Sequence, residues 1–170
     1  VCMPLSGCSK ADTKNGLTPI TLNEVAHSIF YAPQYAAIEL GYFEEEGLDL
    51  TLVNGAGADK VMTALISGDA DIGFMGSEAS IYTYANGSED YAVNFAQLTQ
   101  RAGNFLVGRQ PDAEFNWDKL RGAKVLGGRA GGMPQMVFEY ILKKNGIDPK
   151  TDLTIDQSIN FGLTAAAFTS

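Results

Sequence analysis

Four side chains suited to polar chemistry stand in short loops along this 170-residue chain. His27 and Ser28 follow an apolar stretch, Glu78 follows a Gly-Ser pair, and Arg129 lies within the glycine-rich run GGRAGG. An imidazole or hydroxyl can donate a hydrogen bond, and a carboxylate accepts hydrogen bonds from N–H groups. A guanidinium binds an anionic group through two parallel hydrogen bonds. These residue types suit the binding of a small polar molecule.

Each of the four also has a structural interpretation. His27 could be a solvated loop histidine, and Ser28 could cap a local turn. Glu78 could complement the positive end of a helix dipole and never meet a ligand. Arg129 could clamp an anion or lie on the surface. The residue types alone leave each pair of alternatives open.

Backbone N–H groups and one aromatic ring are further candidate contacts for a ligand. Tyr31 could stack on a planar ligand or pack against a sheet. Glycine-rich backbone lets a ligand approach N–H groups closely, and helix N-termini attract polar or anionic groups. The candidates of this kind are Gly57, Ala58, Ser77, Gly131 and Met133.

The composition argues against several other classes of site. Cys2 and Cys8 are the only cysteines and His27 is the only histidine, too few for a Cys/His metal motif or a disulfide framework. The chain has neither a Gly-x-Ser-x-Gly elbow nor a phosphate loop with Gly-Lys-Ser. Its net charge is −8 and its 12 Lys and Arg are scattered, which argues against nucleic-acid binding. We therefore expect no catalytic residues, no bound metal and no cofactor.

Short strands alternate with amphipathic helices along the first part of the chain. Residues 20–23, 48–53, 70–75 and 92–98 are predicted strands, and the intervening helices end at glycines. Asp59 is a predicted helix N-cap. This order predicts a parallel sheet covered by helices. The loops at 27–28, 54–58 and 76–78 should converge outside the carboxyl ends of the strands, where such sheets bind ligands.

The same pattern restarts further along the chain. Residues 104–109 are a predicted strand that leaves the first sheet, and residues 117–120 form a short helical turn. A strand at 123–127, a helix at 133–144, a strand at 153–159 and an Ala-rich helix from Leu163 then follow. We therefore predict a first lobe over 19–104, a hinge crossover over 105–112 and a partial second lobe over 113–170.

The amino-terminal stretch LSGC resembles the lipobox of bacterial lipoproteins. The resemblance implies that Cys8 is lipidated and that the residues before it are the end of a signal peptide. The polar run over 9–18 cannot bury apolar surface, so it is predicted to be a flexible tether. Residues 1–18 are thus predicted to be signal-peptide remnant, lipobox and tether, and a lipid on Cys8 would hold the protein at a membrane.

The order of motifs in the body of the chain resembles a family of solute-binding proteins from bacterial ABC importers. The marks are GYFEEEGLDL, a glycine-rich loop with ADKV, LISGDADIGFMG, and KVLGGRAGGMPQMVFEYILKKNGIDP. The branch that these segments resemble binds nitrate, alkanesulfonates, taurine and thiamine-pyrimidine precursors. The resemblance implies a two-lobed α/β fold of the class II (type 2) periplasmic-binding-protein kind, in which hinge bending closes a cleft around the ligand.

The resemblance also implies a role outside the cytoplasm. The protein would capture a small polar or heteroaromatic solute and deliver it to an ABC permease in the membrane, without acting as an enzyme. If Glu78 faces the cleft, it disfavours nitrate or sulfonate and favours a ligand with N–H donors, such as an aminopyrimidine. Arg129 would favour a carboxylate, sulfonate or phosphate. The residues therefore do not name the solute.

Two alternatives stay open on the same scaffold. One is an enzyme of thiamine-precursor or menaquinone-type metabolism, and the other is a sensor lobe that signals without transporting. Members of the family continue past the point that corresponds to Ser170, so the second lobe is expected to be incomplete. An incomplete lobe would expose a sheet edge and apolar surface, which favours self-association of the chain.

Overall fold

The computed structural model of the protein describes residues 16–101 and 103–170. Within these residues the chain forms five β-strands in two separate parallel sheets, with α-helices between the strands. The α/β class predicted from the sequence is therefore confirmed. The predicted lipidation site Cys8 and most of the predicted tether lie outside the described residues.

The first sheet consists of three parallel strands in the order β2-β1-β3. These strands are β1 (Thr18–Glu24), β2 (Leu48–Asn54) and β3 (Ile72–Phe74). The ladder between β1 and β2 runs from the pair Thr18 and Leu48 to the pair Glu24 and Asn54. Thr18, the last residue of the predicted tether, belongs to β1 instead, because it pairs with Leu48 of β2.

Four helices accompany this sheet: α1 (Ala32–Glu39), α2 (Tyr42–Glu45), α3 (Ala58–Ser67) and α4 (Glu78–Ala85). Pro33 lies in the first turn of α1, where its missing N–H costs no helical hydrogen bond. Gly68 ends α3 in the left-handed conformation with φ 80°. Asp59 is not the N-cap of α3, because the helix already begins at Ala58 and Gly57 takes the cap position.

The second sheet pairs β4 (Lys124–Leu126) with β5 (Thr154–Asp156). Between them lies α5 (Met133–Lys144), which has the predicted bounds, and after them comes α6 (Thr164–Thr169). Short 3₁₀ turns occupy Ile29–Tyr31, Trp117–Leu120 and Phe161–Leu163.

Each sheet has its own small apolar core. Ala58, Met62 and Ala79 join α3 to α4 beside the first sheet. In the second unit the buried residues of the apolar core are Leu142, Ile147 and Leu153. The side chains that pack against them include Trp117, Leu120, Val125, Phe138 and Ile155. Because the cores are separate, each sheet with its helices is a distinct packing unit.

Two predicted strands, at 92–98 and 104–109, are wrong. Both segments lack regular secondary structure in the part of the chain that the structure describes. Val93 is 75% exposed and Phe105 is 87% exposed, so the alternating apolar pattern does not meet a core. A strand needs a neighbouring strand for its backbone groups, and β3 pairs only with β1 in the described residues.

Apolar surface is extensive between β3 and β4. The exposed large side chains of this region are Ile81, Tyr82, Tyr84, Tyr91, Val93, Phe95, Leu98, Phe105, Leu106, Val107 and Phe115. Exposure of this kind is typical of surface that is covered in an assembly or by further chain. Among the described helices, none combines the length and the apolar character that crossing a bilayer requires.

Candidate functional site

The carboxyl ends of β1, β2 and β3 lie in one row. Glu24 is in register with Asn54 on one side and with Phe74 on the other. Backbone bonds continue past this row, since Gly55 N donates to Glu24 O at 2.8 Å and Val25 N donates to Phe74 O at 3.2 Å. The loops that follow the three strands therefore leave from the same edge, as the alternation of strands and helices predicts.

A buried carboxylate stands at the centre of this edge. Glu24 is only 1% exposed. Its Oε2 accepts hydrogen bonds from Gln34 Nε2 at 3.1 Å and from the Tyr35 hydroxyl at 2.8 Å. Its Oε1 lies 3.0 Å from Nδ1 of His27, whose ring stacks on Tyr35 with centroids 4.2 Å apart. Both oxygens of Glu24 therefore have protein partners, as a buried carboxylate requires.

His27 is thus positioned by Glu24 and Tyr35, while its ring stays largely exposed. With the proton on Nδ1, the ring donates to Glu24 and presents Nε2 to the outside. Ser28 serves the local backbone: its Oγ accepts from Phe30 N at 3.3 Å, and its own N–H donates to the Tyr35 hydroxyl at 3.0 Å. The capping interpretation of Ser28 agrees with this geometry.

Three aromatic rings meet at the end of β3, whose last residue is Phe74. The Tyr31 ring packs on Phe74 with centroids 4.4 Å apart, and Phe30 meets Tyr31 edge-on at 6.0 Å. Phe30 also closes on the chain at Gly103, where an added Cβ would come within 2.9 Å of the ring. Tyr31 is half-buried and packs on the sheet, which agrees with its packing interpretation. Its stacking on a ligand stays a prediction.

The pKa of Tyr31 is raised above its ordinary value. Burial of the phenol is the largest cause, and the negative charges of Glu24 and Glu78 add to it. The two carboxylates therefore both act on this phenol. Tyr31 stays protonated at neutral pH and can donate a hydrogen bond.

Glu78 begins α4 and is 3% exposed. Its carboxylate lies against Gly76, where an added Cβ would fall 2.1 Å from Oε2 and 2.3 Å from Oε1. Oε2 is buried and has no hydrogen-bond partner. Glu78 lies in the first turn of α4, where a carboxylate complements the helix dipole, and this effect is larger when the group is partly buried. The helix-dipole and ligand-binding interpretations of Glu78 therefore both stay predictions.

A second group of predicted residues joins the two sheets. Arg129 follows β4, and its NH2 nitrogen donates to Oδ2 of Asp59 in the first turn of α3 at 2.9 Å. Its NH1 nitrogen donates to Oδ1 of Asn160 at 3.2 Å, while Nε is buried without a partner. Gly57 lets this side chain pass, since an added Cβ would lie 3.2 Å from Nε.

The pKa of Asp59 is lowered below its ordinary value. Burial is the largest single influence and acts upward, but it is outweighed by the hydrogen bond and charge of Arg129 together with the backbone N–H groups of Asp59 and Lys60. Asp59 therefore stays ionised, and Arg129 already has an anionic partner. Because its NH1 and NH2 nitrogens already donate to Asn160 and Asp59, the Arg129 guanidinium has fewer N–H donors left for an anionic ligand.

A cavity of about 860 Å³ lies between α3 and α4 and reaches the loop after β4. Met62, Ile66 and Tyr82 line it together with the predicted residues Ala58 and Gly131. His27, Ser28, Tyr31 and Glu78 do not line it. The predicted site residues therefore form two groups, one at the end of β1 and one where the two sheets meet.

The remaining predicted residues stand at loop positions beside these groups. Ser77 is exposed and makes no side-chain cap to α4. Met133 begins α5 and is half-buried. Gly131 adopts φ 76° in the loop before that helix.

Sequence reasoning missed Glu24, Asn160 and the pairing of Asp59 with Arg129. Glu24 had a detectable signal, because it continues the alternation of Ile20 and Leu22 and thus occupies an inward position of β1. The partner of Arg129 had none, since Asp59 lies 70 positions away in the chain. Within the described residues, His, Cys, Asp and Glu form no group of three or more that could hold a metal ion.

Comparison with known proteins gives consistent matches. The family model "NMT1/THI5 like" matches residues 29–167. A protein of Bacillus subtilis (strain 168) named "Putative binding protein YtlA" is 50% identical over 166 residues, which are 98% of this chain and 49% of that protein. A solved structure from Bordetella bronchiseptica RB50 superposes with a TM-score of 0.62 at 24% identity, over 82% of this chain and 44% of that one. This chain therefore spans about half the length of each protein.

Proposed function

Because this chain belongs to the NMT1/THI5-like family, we propose that it binds a small polar or heteroaromatic organic solute. The solute would lie between the unit built on the first sheet and the unit built on the second. The name of the Bacillus subtilis relative supports a binding role. In this proposal the solute leaves chemically unchanged, and an ABC permease in the membrane receives it.

The observation that carries the proposal is the meeting of loops from both sheets at Asp59 and Arg129. The loop after β2 leads to Asp59, and the loop after β4 carries Arg129. A parallel sheet offers its ligand-binding loops at the carboxyl ends of its strands. Two such edges that face each other form a cleft that loops of both units can line.

The proposal extends to where the protein works. A lipid on Cys8 would hold it at the outer face of the cytoplasmic membrane, where a solute receptor meets its permease. Mass spectrometry of the mature protein tests this part. An amino terminus at Cys8 that carries a diacylglyceryl mass supports the anchor, and an unmodified Cys8 in mature protein from the native host contradicts it.

Native mass spectrometry of the protein, with any sequence that continues it, tests the binding role. We expect one small molecule per chain after gentle purification, released on denaturation. The released molecule is then incubated with fresh protein and analysed again. An unchanged mass supports a receptor, conversion of the molecule supports the enzyme alternative, and repeated isolation without any bound solute contradicts the proposal.

A further inference from the structure

We propose that residues 91–107 form an interaction surface for a second copy of this chain, and that the two copies pair as antiparallel β-strands along 91–98. This inference goes beyond the proposed function and does not depend on any solute. It is carried by exposed apolar side chains, by backbone groups without backbone partners, and by the scarcity of charge. Residues 91–101 and 103–107, which the structure describes, are called the unpaired segment below.

The backbone of the unpaired segment belongs to none of the described helices and strands. Among the described residues, its N–H and C=O groups also make no hydrogen bonds to other backbone groups. Backbone groups of this kind need partners once apolar surface around them is buried. The preceding strand, β3, pairs only with β1 in the described sheets and does not supply them. The segment therefore offers its backbone groups to a partner strand from outside.

Two contacts hold one face of the unpaired segment against the first unit. Ala92 packs against the first apolar core, and Asn94 Nδ2 donates to Ser80 Oγ at 2.8 Å. Side chains two positions apart lie on the same face of an extended chain. Val93 and Phe95 therefore face away from the first unit, and both are exposed. β-branched and aromatic side chains on a half-covered surface favour a strand.

The distribution of charge suits a second copy. Arg101 is the only charged side chain of residues 91–107, whereas the whole chain has a net charge of −8. Chains of like net charge repel each other, but residues 91–107 add no carboxylates to that repulsion. Edge strands that avoid association carry Lys, Pro or inward-pointing charges, and residues 91–98 contain neither a charged residue nor proline. The surface therefore lacks the features that keep two copies apart.

The exposed apolar area is large enough for a dimer. Three aromatic side chains of the segment are between 51% and 87% exposed, namely Tyr91, Phe95 and Phe105. At about 150–250 Å² for each buried aromatic side chain, the six in a dimer would bury roughly 650–1,100 Å². The segment also exposes four aliphatic side chains, which are Val93, Leu98, Leu106 and Val107. Together they approach the total of about 1,200–2,000 Å² that stable interfaces bury.

A twofold axis at Asn94 gives the pairing a defined register. Antiparallel strands then place Val93 of one copy opposite Phe95 of the other. Directly opposed side chains lie on the same face of a sheet, so the exposed face of one copy continues into the other. An aromatic residue opposite a β-branched residue is a favourable cross-strand pair. The interface uses the same surface on both copies, as in most dimers of identical chains.

Sedimentation velocity and amide hydrogen exchange of the whole chain test the proposal. Interfaces of this size have dissociation constants from picomolar to micromolar, so a dimer should form at about 100 μM protein. We expect one species of twice the 18.2 kDa chain mass. Amides of residues 91–98 should exchange slowly in this dimer because they gain strand partners, and should exchange quickly when dilution yields monomer.

Phe95→Lys places a charge within the proposed interface and should weaken dimerisation by about tenfold or more. Because Phe95 is exposed in the single chain, urea unfolding of the monomer should stay unchanged. Tyr140→Lys is the matched control, since Tyr140 is an exposed aromatic residue of α5. It should leave dimerisation at the wild-type level. Val93→Lys should act as Phe95→Lys does and replaces it if that variant fails to fold.

Several results would overturn the proposal. They are a chain that stays monomeric at the same concentration, association without a defined mass, and a dimer whose residues 91–98 exchange as fast as in the monomer. Equal weakening by Phe95→Lys and Tyr140→Lys would also overturn it. If the protein with any sequence that continues it is monomeric and protects residues 91–98, further chain covers this surface and a second copy does not. All of these results leave the proposed solute binding intact.

Discussion

The ion pair between Asp59 and Arg129 allows a quantitative test of how the two units are joined. We consider a double-mutant cycle with Asp59→Asn, Arg129→Gln and the double variant. The NH2 nitrogen and Oδ2 lie 2.9 Å apart, and the side chains are 47% exposed for Asp59 and 28% exposed for Arg129. Both residues thus remain in contact with water, so the pair must be treated as largely solvated.

The expected coupling energy follows from this exposure. Unit charges about 4 Å apart interact by about 1 kcal/mol in water and by about 4 kcal/mol at an effective dielectric constant of about 20. Exposed pairs measured by such cycles give about 0.2–1 kcal/mol, because solvent screening and side-chain ordering reduce the gain. The additional bond from Arg129 to Asn160 fixes the guanidinium. We therefore expect a coupling of about 1 kcal/mol, at the upper end of the exposed range.

The pH dependence has a defined sign. The pKa of Asp59 is lower in the folded protein than in the unfolded chain. Its contribution to the free energy of unfolding is therefore complete above the unfolded pKa of about 3.9 and is lost as the pH falls through the folded value. The coupling should stay constant between about pH 5 and 7 and should vanish at low pH.

Urea unfolding followed by far-UV circular dichroism measures the coupling for the four proteins. Measurements at low and high salt add a check, because the Debye screening length falls to about 3 Å at 1 M salt. The coupling energy should therefore be smaller at high salt. A coupling of zero at neutral pH would show that the pair does not join the units in solution. A coupling that persists after Asp59 is protonated would show that the charge of Asp59 is not its cause.

Three further predictions concern the cores and the β1 edge. Leu142→Ala should lower the free energy of unfolding by about 2–5 kcal/mol, because Leu142 is fully buried, whereas Met136→Ala on the exposed side of α5 should cost much less; urea unfolding compares the two. Gly76→Ala should weaken solute binding, measured by calorimetry, because its Cβ would displace the Glu78 carboxylate. The Tyr31 phenol should ionise above its ordinary pKa, and Glu78→Gln should move this ionisation to lower pH, measured by ultraviolet absorbance against a Tyr31→Phe reference.

Specific results would contradict these three predictions. Equal destabilisation by Leu142→Ala and Met136→Ala would mean that the second core is packed differently. Unchanged solute affinity in Gly76→Ala would mean that the Glu78 carboxylate does not lie against that glycine when solute is bound. An unmoved Tyr31 titration in Glu78→Gln would mean that this carboxylate lies too far away to act on the phenol.

The sequence predicts most of the fold because its signals are local. Pro33, Gly68 and the apolar periodicity of α5 each specify a helix start, a helix end or a helix by chemistry within a few residues. The strands at 92–98 and 104–109 failed for the opposite reason. Alternating apolar residues suit a strand, but a strand exists only where another strand is available to pair with it.

The sequence predicted that the loops after β1, β2 and β3 leave from one edge, but it did not predict the contacts that their side chains make. Glu78 and Arg129 were identified as candidate site charges, but the partner of Arg129 is distant in sequence. Arg129 could be taken for an anion clamp until Asp59 was placed beside it. Glu24 was missed because its position follows from burial and from its partners Gln34, Tyr35 and His27, which no single residue type announces.

The matched ends of β1, β2 and β3 have an evolutionary consequence. Glu24, Asn54 and Phe74 are in register at the end of the sheet. The sequence of the loop after each strand can therefore change without altering the pairing of the strands. Relatives could therefore diverge in what they recognise by exchanging a few loop residues on an unchanged framework. Diversification of this kind would keep the strand sequences similar across the family. The loop sequences would differ between members that bind different solutes.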